Sequence, residues 1–470
     1  MLTLDSERLI EILGAEILTG RGELMVNGIA TDSRRVEPGN AFVAFSGERV
    51  DGHEYLVAAM ERGARTLIVT ESADALLSQL ATARERDVMV VRVADALGAV
   101  QALASYHRSR LFCPVVGVTG STGKTTTKDF IASVVSQGFR VIATEGNQNN
   151  ELGVPLTILR AGADTDVLVV EMAMRGAGQI AHLASIARPT AGLITNVGTS
   201  HIELLGTQKA IADAKGELVS AVASEGCVFL NGDDIFSGAL ADKSSAEIIT
   251  YGMSDECVIR ALDVMTDEAS LPSFTLVCPA GTRKVTLAIP GRHNVYNALA
   301  ATAVALYLEI PLDDIVYGLE AAESGQMRMQ SFETASGVHV INDAYNANPT
   351  SMRAAIETLS DMSGASKRIA VLGDMAELGS LTELAHFRIG EEVARLEIDA
   401  LVTVGERARR IADGARAEGM PDEVIRPCQT PEEATEVLDD LLAAGDAVLV
   451  KASRVMGLER IVEGIVDPRV

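Results

Sequence analysis

Residues 114–131 read PVVGVTGSTGKTTTKDFI. An apolar, β-branched run stops at a glycine-rich turn. Lys124, Thr125, Thr126 and Thr127 then open a stretch with helical spacing that ends at Gly138. A buried strand, a tight turn and a helix N-terminus in that order make a cradle for anions. Glycine lets the backbone approach a phosphate closely, and the unsatisfied N–H groups and dipole of the helix face it. Gly120, Ser121, Thr122, Gly123, Lys124, Thr125 and Thr126 are therefore candidate nucleotide contacts. Lys124 would reach the terminal phosphates and Thr125 would offer its hydroxyl to Mg2+. The strict pattern G-x-x-x-x-G-K-[ST] fails, because Val118 stands where its first glycine belongs; the turn is the shorter T-G-S-T-G-K-T-T.

The rest of the chain suits an enzyme of α/β layers. Its 470 residues suggest about three domains. At 47% hydrophobic and 22% charged it has the composition of a globular protein with large cores, packed without any Trp. The 65 acidic against 40 basic residues leave a formal charge of −25, which argues against non-specific nucleic-acid binding. An anionic substrate then needs a locally basic pocket, for which Arg34, Arg35, Lys124, Arg175 and Arg328 are candidates. Five cysteines (Cys113, Cys227, Cys257, Cys278 and Cys428) lie far apart with no CxxC spacing, so neither a disulfide framework nor a zinc site is expected. The start, MLTLDSERLIEILG, lacks a secretory signal, and no run approaches the roughly 20 apolar residues that cross a bilayer. The expectation is a cytoplasmic protein.

Short β-rich runs alternate with helical patterns, the signature of parallel sheets covered by helices. Three domains are drawn: residues 1–92, 93–325 with the phosphate-type turn, and 326–470. The last alternates VHVIND, RIAVLGDM, ALVTVGE, EVIRPC and AVLVKAS with helices, as a small doubly wound sheet does. The fold class expected is α/β in three domains, with a central P-loop-type ATPase sheet and a Rossmann-like C-terminal domain.

Further candidates sit at strand ends, where open α/β sheets bind ligands. Glu171 closes the apolar run TDVLVVE and could hold Mg2+, although an acid there is as often merely solvated. Asn196 and His201 follow the strand AGLIT; a lone histidine is more often structural. Lys215, in KAIADAKGELV, reads from spacing alone as a surface lysine. Asn294 and Asn297, in PGRHNVYNALAA, stand at a helix start, where capping is the ordinary explanation.

Taken together, TGSTGKTTTK, EMAMRGAGQI, NVGTSHIELLGT, AKGEL, PGRHNVYNALAA, NDAYNANPTSM and VLGDMAELG resemble the Mur ligases of peptidoglycan synthesis, over roughly residues 25 to 460. The resemblance implies an ATP-dependent ligase that makes an amide bond through an acyl phosphate. It implies that Lys215 is carboxylated by CO2 and that Thr125, Glu171, His201 and the modified Lys215 place one or two Mg2+ ions. Lys124, Glu171, His201 and Lys215 would then be the catalytic set. Asn294, Asn297, Arg328 and Asp343 match nucleotide contacts. Ser33 and Arg34, in TDSRRV, match the grip on a uridine nucleotide, and SGERVDGHEY a nearby substrate-binding stretch.

The subtype resembled most is the one joining D-alanyl-D-alanine to UDP-N-acetylmuramoyl-tripeptide, in a monomer. The third-residue-adding enzyme carries D-N-P-R in its last domain, where this chain has NDAYNANPTSM. That enzyme and folylpolyglutamate synthase remain alternatives, as does a P-loop switch without ligase activity. One departure from the family pattern is EMAMRGAGQI, where Ala173 and Gly178 replace an expected glycine and acid.

Overall fold

The computed structural model describes residues 1–20, 24–47, 50–72 and 74–466. Two compact units divide the chain: Met1–Gly117 with Phe139–Ala173 and Ile180–Ala191, and Val118–Gly138 with Met174–Gln179 and Gly192–Val470.

The first unit contains a five-stranded sheet in the order Glu16–Thr19, Met89–Arg92, Thr66–Val69, Ala41–Val43, Ile29–Ala30. All neighbours are parallel except the edge strand Glu16–Thr19. Thr66–Val69 and Ala41–Val43 are buried at every position, as continuous apolar runs in a parallel sheet must be. Phe42, Leu56, Ala59, Leu67, Leu80 and Val90 form the core on one side. The unit also holds the parallel pair Val141–Ala143 and Val167–Glu171.

In the second unit the glycine-rich turn leads into helix Lys124–Val135. Its buried residues Phe130, Ile131, Val134 and Val135 form the apolar face, and the helix packs on helix Asn294–Tyr307. Helix Asn294–Tyr307 is buried along most of its length because alanines and Val295, Leu299 and Val304 surround it on nearly every side. Strands Cys227–Asn231, Glu247–Gly252 and Ile259–Thr266 run parallel; Pro272–Cys278 and Gly281–Thr286 then pair antiparallel. This antiparallel ladder departs from the all-parallel reading. Pro272–Cys278 alternates buried and half-buried residues, so one face is open to water, which an antiparallel edge allows and a doubly covered parallel sheet does not.

The C-terminal part is a six-stranded sheet in the order Gln330–Glu333, His339–Asp343, Ala447–Lys451, Arg368–Gly373, Ala400–Val404, Ile425–Cys428. Only Gln330–Glu333 is antiparallel to its neighbour. Val340, Val371, Val402, Val448 and Val450 meet Leu438, Leu458 and Ile461 in its core. The last strand in the chain inserts between the first two parallel ones, so Asp343 and Lys451 stand at neighbouring strand ends, beside Asp374, which follows strand Arg368–Gly373.

Candidate functional site

The glycine-rich turn is braced from two sides. On one, Thr195 Oγ1 donates to the Thr122 carbonyl at 2.6 Å, and Asn196 accepts from the Thr122 N–H at 3.1 Å through Oδ1. The Asn196 amide also returns a bond to the Thr122 carbonyl, and Gly198 N–H donates to Ser121 Oγ at 2.8 Å. On the other, Asn297 Oδ1 accepts from Thr127 Oγ1 at 3.0 Å, while its amide donates to Asn294 Oδ1 and Asn294 donates to the Pro290 carbonyl. Helix Asn294–Tyr307 starts without a side-chain cap. The capping explanation of these asparagines is therefore replaced: both are buried, and they tie the phosphate-turn helix to its neighbour.

Two glycines have no substitute here. Gly123 precedes helix Lys124–Val135 at φ +76°, and a Cβ on it would stand 2.6 Å from Asn297 Oδ1. A Cβ on Gly120 would stand 1.8 Å from Thr195 Oγ1. Lys124 Nζ folds back to donate to the Gly120 carbonyl at 2.8 Å, which sets the ammonium across the turn. Thr125 is 7% exposed at the first turn of the helix.

Lys215 is not on the surface. It lies on helix Gln208–Ala221 and is 1% exposed. Burial, and then the charge of Lys124, pushes its ammonium well below the usual lysine range. Among the described residues it makes no hydrogen bond or ion pair. A lysine so placed favours its neutral amine.

His201 has φ +63°, and its Nδ1 lies 2.9 Å from Glu377 Oε2. Burial lowers the imidazole pKa most. The Glu377 carboxylate opposes this, and the charge of Lys124 adds to it, as would any charge on Lys215. Lys124, His201 and Lys215 are thus electrostatic neighbours. Among the described residues no three His, Cys, Asp or Glu side chains gather as a metal-binding group.

Asp343 ends strand His339–Asp343. Its Oδ1 accepts from the Met329 N–H at 3.0 Å, and its Oδ2 from Lys451 Nζ at 2.5 Å. Arg328 lies with its guanidinium carbon 3.8 Å from the centre of the Tyr345 ring, a cation–π stack.

The remaining candidates belong to the first unit. Glu171 is 1% exposed at the end of strand Val167–Glu171; its Oε1 accepts from Asn149 at 2.7 Å and its N–H donates to Thr144 Oγ1. Ser33 and Arg34 form the 3-10 turn Ser33–Arg35, capped by Asp32, whose carboxyl the Arg34 side chain and N–H bonds hold at about 2. Within the substrate-like stretch SGERVDGHEY, Glu48 and Arg49 lie outside the described residues. Of the proposed basic residues, Arg34 pairs with Asp32, Arg35 with Glu145 and Arg175 with Glu377, so each cation already has a carboxylate beside it.

Sequence reading gave no role to Thr195, Glu377 or Lys451. The signal for Lys451 was present: a lysine closing the wholly apolar strand AVLV is a charge that must find a partner. Glu377 had no such signal, because its partner His201 is remote in sequence.

Among the described residues no helix is long and apolar enough to cross a membrane. Family models match in three segments: "Mur ligase family, catalytic domain" over 25–105, "Mur ligase middle domain" over 118–305, and "Mur ligase, glutamate ligase domain" over 327–454. The UDP-N-acetylmuramoyl-tripeptide–D-alanyl-D-alanine ligase of Bacillus subtilis is 36% identical over 95% of this chain and 94% of its own. A crystal structure of MurF from Acinetobacter baumannii superposes with a TM-score of 0.87 at 29% identity, covering 99% of both chains. MurF ligase from Thermotoga maritima in complex with ADP gives 0.78 at 27% identity, covering 95% of this chain and 97% of that one. With a phosphate turn, a buried lysine beside it and relatives matched end to end, the chain belongs to the Mur ligase family and is of its MurF type.

Proposed function

We propose that the protein joins D-alanyl-D-alanine to UDP-N-acetylmuramoyl-tripeptide at the expense of ATP, forming the UDP-N-acetylmuramoyl-pentapeptide precursor of peptidoglycan in the cytoplasm. A carboxylate is a poor electrophile, because its charge repels nucleophiles and oxide does not leave. Transfer of the ATP γ-phosphoryl group to the tripeptide carboxylate makes an acyl phosphate. The amine of D-alanyl-D-alanine attacks that carbonyl, the tetrahedral intermediate collapses, and phosphate departs with the former carboxylate oxygen.

The chain's own part is positioning and charge stabilisation. Gly120–Thr126 would wrap the phosphates, Lys124 would neutralise charge on the β- and γ-groups, and Asn294, Asn297, Arg328 and Asp343 would hold the nucleotide. Ser33 and Arg34 are assigned to the uridine nucleotide. Mg2+ would supply polarisation of the phosphoryl oxygens. Thr125, His201 and Lys215 would hold it, with Glu171 as the carboxylate assigned by the same resemblance.

The observation that carries this reading is Lys215. A buried amine facing Lys124, with its cationic form disfavoured, suits reaction with CO2. The resulting carbamate would be an anion beside Lys124 and a ligand for a cation, which an ammonium is not. The reading is tested with tripeptide substrate labelled with 18O in its terminal carboxylate. One label per turnover in the released phosphate is expected; phosphate free of label would overturn the acyl-phosphate route.

A further inference from the structure

The segment Gln326–Gln330 joins the part of the chain that carries the phosphate turn to the C-terminal sheet. Within it Met327 and Met329 both occupy the left-handed region, at φ +56° and +50°. Such a conformation is unfavourable for a residue that bears a side chain, so two in three residues persist only where neighbours impose them.

The imposing groups come from one strand end. The Tyr345 N–H donates to the Met327 carbonyl at 3.1 Å, Asp343 Oδ1 accepts from the Met329 N–H, and the Tyr345 ring receives the Arg328 guanidinium. That strand end is itself fixed by one cation. Lys451, 1% exposed, donates to Asp343 Oδ2 and at 2.9 Å to the Asn346 carbonyl, so it closes the turn 343–346 from both ends. His293, next to the helix that carries Asn294 and Asn297, is pushed down to about 4 by burial. Asp343 draws its pKa up and Lys451 presses it down, so it lies within the field of the same pair.

We propose that Lys451 is a positioning residue for the ligase reaction: by clamping Asp343 and Asn346 it holds the strained Met327–Met329 segment and so presents Arg328 to the nucleotide. The proposal rests on the reading of this chain as an ATP-dependent ligase only for what Arg328 touches. The clamp itself does not depend on that reading. Lys451 contacts no substrate in this scheme; it acts through Asp343 and the segment that bears Arg328. Lys451 is buried and Asp343 largely so, and removing the cation leaves the carboxylate without its counter-ion.

The test is a double-mutant cycle between Lys451→Met and Arg328→Ala, with KM for ATP and kcat measured separately. Each single variant is expected to raise KM for ATP roughly tenfold, the scale of one lost charge-assisted hydrogen bond. Because Asp343 is also assigned to the nucleotide, Lys451→Met in the Arg328→Ala background is expected to raise it clearly less than in the parent background. An equal rise in both backgrounds would overturn the proposal, because Lys451 would then act independently of Arg328.

The second readout needs no nucleotide. Limited proteolysis of the full chain is expected to cut within residues 325–330 at least several times faster in Lys451→Met than in the parent, and an unchanged rate would contradict the clamp. Should Lys451→Met not fold, Lys451→Gln, which also removes the charge, takes its place in both experiments under the same criteria. Failure of ligation by the parent chain with intact clamping would sink the proposed function and leave the proteolysis result standing.

Discussion

Replacing Gly120 by alanine tests how the phosphate turn is built. The new methyl would fall 1.8 Å from Thr195 Oγ1, and this hydroxyl is itself committed at 2.6 Å to the Thr122 carbonyl. Thr195 is 4% exposed and follows directly on a buried strand, so it has little room to retreat. Overpacking a filled site costs about 1–3 kcal/mol, and the broken hydrogen bond adds about 1 kcal/mol. The sum, about 2–4 kcal/mol, must appear as lowered stability, as weakened nucleotide binding, or as both. Wholly in binding it is a loss of roughly 30- to 1000-fold.

Thermal unfolding and calorimetric titration with a non-hydrolysable ATP analogue read the two shares. The second arm is Gly120→Ala with Thr195→Ala. That change removes Oγ1 and leaves the Thr195 Cβ at 3.0 Å and its backbone nitrogen at 3.2 Å from the new methyl. The double variant should recover at least about 1 kcal/mol relative to additivity, as directly touching sites do. A single variant with parental stability and affinity, or a double variant without recovery, would refute the geometry.

Other expectations follow from single residues. Lys124→Ala should lose nearly all turnover while the chain stays folded, checked by steady-state kinetics beside circular dichroism. Lys215→Ala should lose most activity and regain part of it with formate or acetate, which can stand in for the carbamate; no rescue at any concentration would count against carboxylation. Asn297→Ala strands the fully buried Thr127 hydroxyl and the Asn294 carbonyl oxygen, so denaturant unfolding should show a loss of about 2–4 kcal/mol. His293, held at about 4 when folded, binds a proton more weakly than in the unfolded chain. Its contribution, at most about 3 kcal/mol, is present above the ordinary histidine range and disappears as pH falls from about 6.5 to 4. Denaturation midpoints across that window should fall with acidity, and less steeply in His293→Gln.

Much of this was readable from residues alone where one local rule decides the outcome. PVVGVTGSTGKTTTK announces strand, turn and helix because glycines, apolar run and helix start coincide. The parallel strands of the first and last blocks are legible as unbroken apolar runs. Residues 255–290 were not, since an antiparallel ladder with one wet face carries a weaker pattern than a buried strand. At the site, the helical spacing around Lys215 gave it the look of a surface lysine, and only the resemblance to a family moved it inward. Asn297 looked like a cap because helix starts attract asparagine, whereas its partner, Thr127, lies 170 positions away in the chain. The pairs Thr195–Thr122, His201–Glu377 and Asp343–Lys451 are likewise made by topology, and no local pattern encodes them.

The most direct measurement is amide formation itself. Purified protein is supplied with ATP, Mg2+ and UDP-N-acetylmuramoyl-tripeptide, with and without D-alanyl-D-alanine, and phosphate and nucleotide-linked peptide are quantified together. The account predicts phosphate released one-for-one with UDP-N-acetylmuramoyl-pentapeptide, and only when the dipeptide is present. Phosphate release at the same rate without any amine, or none of the pentapeptide product in the complete mixture, would contradict it.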